Sequence, residues 1–314
     1  MYFTKKLKVI SIYLLITILS INLSNALENK ILFKVDNEII TTIDIYEEIR
    51  FLKIFNPEMN DLSEAELFEI SKNSILRDKI KKIEIMNFVK IIKIEDKFIF
   101  NLIRSRYSNI NINSFEDFEN YLKDKNFNVD NIREKFTIEL IWNDLIYQKF
   151  NKKVVINKDK IRKEILQNPK KKNQRELLLS EITFNVQNKN DLNDRHKKIL
   201  LDIEKVGFKK SAFIHSDSDT ATNGGLIGWI KEDNLNKVIK KSISKLRPGQ
   251  FSEPIRTSSG FMIIRIDDKK EYASNINLED KVNEMIRYKT NNQLDQFSSM
   301  YFNKIKKDLM IYGL

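Results

Sequence analysis

Few side chains in this 314-residue chain are equipped for chemistry, for it has no cysteine and two histidines, His196 and His215. Without cysteine there is neither a thiol nucleophile nor a thiolate metal site, and an oxidising compartment adds nothing to stability. Two histidines also fit poorly with a multi-histidine metal site or a conventional catalytic triad. His196 stands among Arg195, Lys197 and Lys198 on an expected exposed helix face, and His215 precedes the loop Ser216-Asp217-Ser218. Each is expected to be structural or solvated. No phosphate loop or ligand cluster occurs, so no metal, nucleotide or redox cofactor is expected.

What is distinctive is the run Asn223-Gly224-Gly225-Leu226-Ile227-Gly228-Trp229, followed by Pro248-Gly249-Gln250-Phe251-Ser252-Glu253-Pro254 and by Ser259-Gly260-Phe261-Met262-Ile263-Ile264. Glycines 224, 225 and 228 permit backbone angles and close approaches that a side chain would block. Trp229 beside them is expected to fill a core or a rim. Met262, between Phe261 and Ile263, is expected to pack within a strand. Glu181 alternates with Leu177 and Leu179 on one strand face, which puts it at the edge of a groove or beside a lysine.

The elements that carry these residues form an α+β segment over 174–270. Strands are expected at Leu177 to Phe184, Phe251 to Arg256 and Phe261 to Ile266. Helices are expected at Asp191 to Val206, Phe208 to His215 and Val238 to Leu246. The turn-rich charge run Asn168-Pro169-Lys170-Lys171-Lys172-Asn173 separates this segment from what precedes it.

Residues 27–173 read as mostly helical. A hairpin of Ile31 to Val35 and Ile39 to Thr41 leads to a helix capped by Thr42 and stopped by Pro57. Ser63-Glu64-Ala65-Glu66 fits a capping box, and helical periodicity runs on to Arg106 with room for an interruption. Ser114 and Asp130 are expected to cap two further helices, and a short helix ends at Leu166. Residues 271–314 hold one long helix, Leu278 to Lys307, and a terminal strand, Leu309 to Tyr312. The first and last strands can pair in one sheet and close a single helical domain around the inserted segment. No internal repeat favours a solenoid.

Lys5, Lys6 and Lys8 precede an apolar run from Val9 to Leu23 that closes on Ser24-Asn25-Ala26. Residues 1–26 therefore read as a secretory signal peptide, the run being shorter than the roughly 20 residues of a spanning helix. The expected location is outside the cytoplasm, with no stable membrane insertion after cleavage. The net charge of +11 becomes +8 without the three signal lysines. Basic and acidic residues are interspersed, so the balance reads as a solvated surface and not as a nucleic-acid footprint.

The glycine-rich run and the two segments after it resemble a parvulin peptidyl-prolyl isomerase domain. In chain order, the Val35-Asp36-Asn37-Glu38-Ile39-Ile40-Thr41 hairpin, the helices, this segment and the terminal helix resemble the SurA-type periplasmic chaperones, with one parvulin domain in place of the familiar two. The resemblance implies a proline pocket with an apolar wall at Ile227, Leu235 and Ile239. It places Glu181 and Met262 where parvulins usually carry histidine, and Leu226 where an aspartate is common. Ser218, with Asp217 beside it, falls nearest the position often held by Cys or Asp, and Thr257 and Ser259 match family hydroxyl positions. Asp217, Ser218 and Ser259 are thus the candidate catalytic groups, and Glu181, Ile227, Leu235, Ile239, Thr257 and Met262 the candidate substrate contacts.

An isomerase of this kind forms no covalent bond. It needs an apolar pocket and polar groups that favour the twisted amide over the planar one. Losing two imidazoles removes a paired hydrogen-bond network, and a thioether is only a weak acceptor. The resemblance therefore implies a periplasmic chaperone that binds unfolded outer-membrane proteins or other exported polypeptides, with weak or absent isomerase activity. An active isomerase and a non-catalytic envelope adaptor are the alternatives, and the oligomeric state is left open.

Overall fold

The structure is a computed structural model that describes residues 29–90, 93–107, 112–167, 173–186, 188, 191–273 and 277–313. The expected signal peptide and most of the charge run after Gln167 lie outside the described residues. Among the described residues no helix is long and apolar enough to cross a membrane.

The hairpin forms as expected: β1 (Ile31–Val35) and β2 (Glu38–Thr41) pair antiparallel, with Asp36 taking the positive φ of 51° that the tight turn demands. The terminal strand β7 (Ile311–Gly313) pairs antiparallel with the other edge of β1, giving the order β2-β1-β7. The first and last described strands thus meet in one sheet.

Helix α1 (Thr42–Phe55) is capped by Thr41, one residue before the expected cap. The register follows from Asp44, which completes a reciprocal capping box three residues after Thr41, with Thr41 N–H donating to its carboxylate at 2.7 Å. Helix α2 (Glu64–Met86) starts at the predicted Ser63 box, where the Ser63 N–H donates to Glu66 at 2.9 Å. Helices α3 (Asp96–Arg106) and α4 (Phe115–Asp124) follow, the latter capped by Ser114. For α5 (Val129–Phe150) the cap is Asn128 and not Asp130: its side-chain oxygen accepts from the Asp130 N–H at 2.9 Å and from the Asn131 N–H at 3.3 Å. Helix α6 spans Lys158–Gln167.

Two cores bind this frame. One gathers Phe51, Phe55, Tyr107, Phe118 and Phe136, and the other Val35, Ile40, Ile80, Trp142 and Phe302. Phe302 comes from α10 (Leu278–Asp308), so the last helix completes the core begun by the first elements. Its Ser298 hydroxyl accepts from the fully buried Trp142 indole N–H at 2.8 Å, and its Phe297 stacks on Phe150 with ring centroids 5.1 Å apart. A smaller core of Ile161, Val282 and Met285 joins α6 to the start of α10.

The inserted segment is a four-stranded antiparallel sheet, ordered β4-β3-β6-β5, with helices on both faces. Its strands are β3 (Asn173–Phe184), β4 (Leu226–Lys231), β5 (Ile255–Thr257) and β6 (Gly260–Ala273). Side chains alternate across it as strand geometry requires. Leu179, Met262 and Ile264 pack beneath α9 (Lys237–Ile243), whereas Ile182, Phe184 and Ile263 pack against α7 (Asp191–Val206) and α8 (Phe208–His215). The expected strand Phe251 to Arg256 is shorter than read. Phe251 makes only an isolated bridge to Arg265, and pairing resumes at Ile255, after Pro254, which has no N–H to give a ladder.

This segment is docked firmly on the frame. Phe213 of α8 joins the frame's aromatic core, and Arg77 of α2 donates to the Ser216 carbonyl at 2.9 Å. Lys205 pairs with Glu66 at 2.8 Å, and Lys81 pairs with Asp219. The protein is therefore an α+β chain whose helical frame, built from both ends, holds an inserted α+β segment.

Candidate binding groove

The sheet, α9 and α10 line a partly open cavity of about 630 Å³. Its floor is strand β3, presenting Leu179, Glu181 and Thr183, with Met262 and Ile264 of the adjoining β6. One side is apolar: Leu235 and Ile239 are buried there, while Ile227 on β4 is half exposed at the rim. The three residues assigned to an apolar wall thus do form one. Ile239 is set by the N-cap of α9, since its N–H donates to the Asn236 side-chain oxygen at 2.9 Å.

The other side is polar and ordered by hydroxyls. The Ser216 hydroxyl accepts from the Thr183 N–H at 3.0 Å and lies 2.9 Å from Ser218 Oγ, which is 2.6 Å from Thr220 Oγ1. Thr220 in turn donates to Glu181 at 3.0 Å. Ser218 is therefore in the cavity, as are Ser259 and Thr257, whose hydroxyls lie 3.3 Å apart. Asp217 is not brought to it. Its N–H donates to the Thr183 carbonyl at 2.7 Å and its carboxylate accepts from the Asn185 N–H at 3.2 Å, so it ties the loop to the end of β3.

Glu181 lines the groove from β3, and among the described residues it pairs with no lysine. Burial, assisted by the negative charges of Asp295 and Asp219, pushes its carboxyl up to about 7, against the pull of the hydrogen bonds from Thr220 and Ser218. Asp219 behaves in the opposite sense. Burial opposes its ionisation, but Lys81 and Arg77 beside it outweigh burial and hold it below the usual carboxylate range. Met262 is both strand packing and lining: it is 8% exposed, lies in the core with Leu235 and Ile239, and reaches the cavity.

Gly225 explains how the loop comes so close to Glu181. At φ +80° its carbonyl accepts from the Glu181 N–H at 2.8 Å, and an added Cβ would stand 2.2 Å from the Glu181 carbonyl oxygen. Trp229 lies outside the cavity, 40% exposed, with the Lys270 ammonium 4.1 Å from its ring centroid.

Neither histidine reaches the cavity. His215 is buried, its Nε2 2.5 Å from an Asp202 carboxylate oxygen, and it faces a separate polar pocket with Arg77 and Arg195. Its border with the groove is only through the chain. His196 is not on a free surface either: its Nδ1 stands 4.0 Å from Glu253 and its Nε2 is buried without a partner among the described residues.

Missing from the sequence reading is the roof. Helix α10 lays Tyr288, Asn292, Asp295 and Gln296 over the groove, and Gln296 accepts from the Ser258 hydroxyl at 3.0 Å. Asp295 is exposed on the side of α10 that faces the cavity, and desolvation by the surrounding protein, with Asp219 adding to it, pushes its carboxyl up to about 6. Tyr288 is pushed up to about 12, chiefly by burial. The polar spacing Tyr288, Asn292, Asp295 and Ser299 was visible as a helical stripe, but such a stripe also marks an ordinary solvated face.

Residues 177–268 match the rotamase family described as the PPIC-type PPIASE domain. This segment is a PPIC-type domain. Within the chain, 81 residues are 40% identical to the chaperone SurA of Hahella chejuensis, covering 26% of this chain and 19% of that relative. Chaperone SurA of Pseudomonas putida is 33% identical over 75 residues, covering 24% of this chain and 17% of the relative. These matches thus span less than a fifth of the length of either relative. Among solved structures, a SurA-like chaperone of Campylobacter jejuni is 19% identical, covers 91% of this chain and 99% of its own, and superposes with a TM-score of 0.36. In the PPIC-type domain of this chain, the positions that the parvulin resemblance assigns to two histidines hold a carboxylate and a thioether, while the apolar wall is present.

Proposed function

We propose that this chain is an exported SurA-type chaperone of the periplasm that holds unfolded polypeptides, outer-membrane proteins among them, with weak or absent prolyl isomerisation. One observation carries the reading. The groove keeps an apolar wall of Ile227, Leu235 and Ile239 but is also lined by Glu181 and Met262. An apolar wall suffices to retain an extended segment of an unfolded client, whereas turnover needs donors arranged around a twisted amide. Export rests on the lysine-led apolar run that closes at Ala26.

The test is aggregation suppression: an unfolded porin diluted from denaturant should stay in solution with the full chain at near-stoichiometric amounts. Unchanged aggregation would remove the chaperone reading.

A second reading, an active isomerase, is favoured by the continuous hydroxyl chain Ser216, Ser218, Thr220 ending on Glu181. In that reading Ser218 and Ser259 act on the amide while the apolar wall holds the proline ring, and Asp217 serves only to position Ser218. Uncatalysed rotation takes tens of seconds or longer near 25 °C, so even modest acceleration of a proline peptide would register. Acceleration abolished by Ser218→Ala with Ile239→Ala would establish it.

A further inference from the structure

Two carboxylates, Glu181 on β3 and Asp295 on α10, line the same cavity, and among the described residues neither is paired with a cation. Glu181 rises from the floor and accepts from the Thr220 hydroxyl, and the exposed Asp295 on α10 has no hydrogen bond or ion pair among the described residues. Asp219 is nearby but is neutralised by Lys81, which is itself almost fully buried. The cations at the cavity's lip, Lys237 and Arg256, are exposed.

A volume near 630 Å³ lies within the roughly 300–1,000 Å³ of sites that enclose whole ligands, and it leaves room beyond one compact apolar side chain. We propose that this cavity selects client segments in which a lysine or arginine stands beside a proline or another compact apolar residue. The cationic head lies between Glu181 and Asp295, and the apolar side chain lies against Ile227, Leu235 and Ile239. This rests on the client-holding reading above and adds to it a substrate class. A long cationic side chain can bury its methylene stem along the apolar wall while its head reaches the acids.

The raised carboxyls supply a second signature. Burial pushes Glu181 up to about 7, and the exposed Asp295 is shifted upward too, so a cation between them is expected to bind better as pH rises through neutrality. Tyr288 stays neutral throughout that range, and Asp219 stays ionised.

The experiment uses the full chain and three dye-labelled octapeptides with capped termini, identical except that the residue beside a central proline is lysine, norleucine or glutamate. Fluorescence anisotropy near pH 8 should give the lysine peptide an affinity about tenfold above the norleucine peptide, the size of effect expected of a partly enclosed charge contact. Below about pH 5.5 that ratio should fall close to one, and Asp295→Asn or Glu181→Gln should lower it near pH 8. Equal binding of the lysine and norleucine peptides near pH 8 would overturn the cationic preference while leaving the groove a client site. Tighter binding of the glutamate peptide would also overturn it, by showing that Lys237 and Arg256 dominate. Failure of all three peptides to bind, together with unchanged porin aggregation, would remove the underlying reading as well.

Discussion

The Thr220 hydroxyl donates a 3.0 Å hydrogen bond to Glu181, so a carboxylate terminates the polar network of the groove where the family resemblance implies an imidazole. A carboxyl held at about 7 against its usual 4.5 keeps its proton in the folded protein after the unfolded chain has lost it. The unfolded state then binds fewer protons between those values, so the stability this group contributes is complete below about pH 4.5 and is lost as pH rises through about 7. Glu181→Gln, which carries no charge, should stabilise the protein by about 1–2 kcal/mol near pH 8 and by almost nothing near pH 4.5. Urea unfolding at the two pH values measures this; a pH-independent difference would mean that the charge of Glu181 is not what the fold resists.

If the absent imidazoles limit turnover, replacing both positions should restore some of it. Glu181→His combined with Met262→His is expected to accelerate isomerisation of a proline peptide several-fold over the parent chain. A thermal unfolding curve on the same sample shows whether the variant is folded. A folded double variant no faster than the parent would place the limitation elsewhere, with the roof formed by α10 the next feature to alter.

Two glycines of the same run separate steric from conformational effects. Gly225→Ala meets the Glu181 carbonyl and should destabilise the protein by about 2–4 kcal/mol, because strand and loop must part. At Gly228, φ +105°, an added Cβ meets nothing within 4 Å. There the alanine pays only for its strained backbone, about 1–2 kcal/mol. Denaturant midpoints for the two variants should rank in that order.

The join between the last helix and the frame depends on a buried donor. Ser298→Ala leaves the Trp142 indole N–H without its 2.8 Å partner, a loss expected to cost about 1–3 kcal/mol. Ser258→Ala removes an exposed hydroxyl bond to Gln296 and should change stability by less than about 0.5 kcal/mol. Thermal unfolding of both variants gives the comparison.

Much of the fold was legible because local chemistry and tertiary packing agree. Ser63 with Glu66 announced α2, and the period-two pattern of Leu177 to Phe184 announced β3, which extends further at its start. Caps failed where two candidates compete: Thr41 and Thr42 adjoin, and only Asp44 three residues after Thr41 decides between them. Ile227, Leu235 and Ile239, which the resemblance assigns to an apolar wall, all line the cavity. The roof was not legible, since a polar stripe on a helix reads as a solvated face, and Asp295 is indeed exposed; that α10 lies over the groove follows only from the tertiary packing of its end with β1 and β7. His196 misled for a related reason: its lysine and arginine neighbours predict exposure, but its ring turns inward beside Glu253.

On the proposed function, clients occupy the groove of the PPIC-type domain beneath α10. The direct measurement is site-specific photocrosslinking of the full chain to an unfolded porin, with a benzophenone side chain at Ile227 on the rim and, as a control, at the exposed Leu166. The account predicts a porin adduct at position 227 that an excess of unlabelled porin competes away, and little at 166. Aggregation suppression that persists while position 227 yields no adduct would contradict it and place client binding elsewhere on the frame.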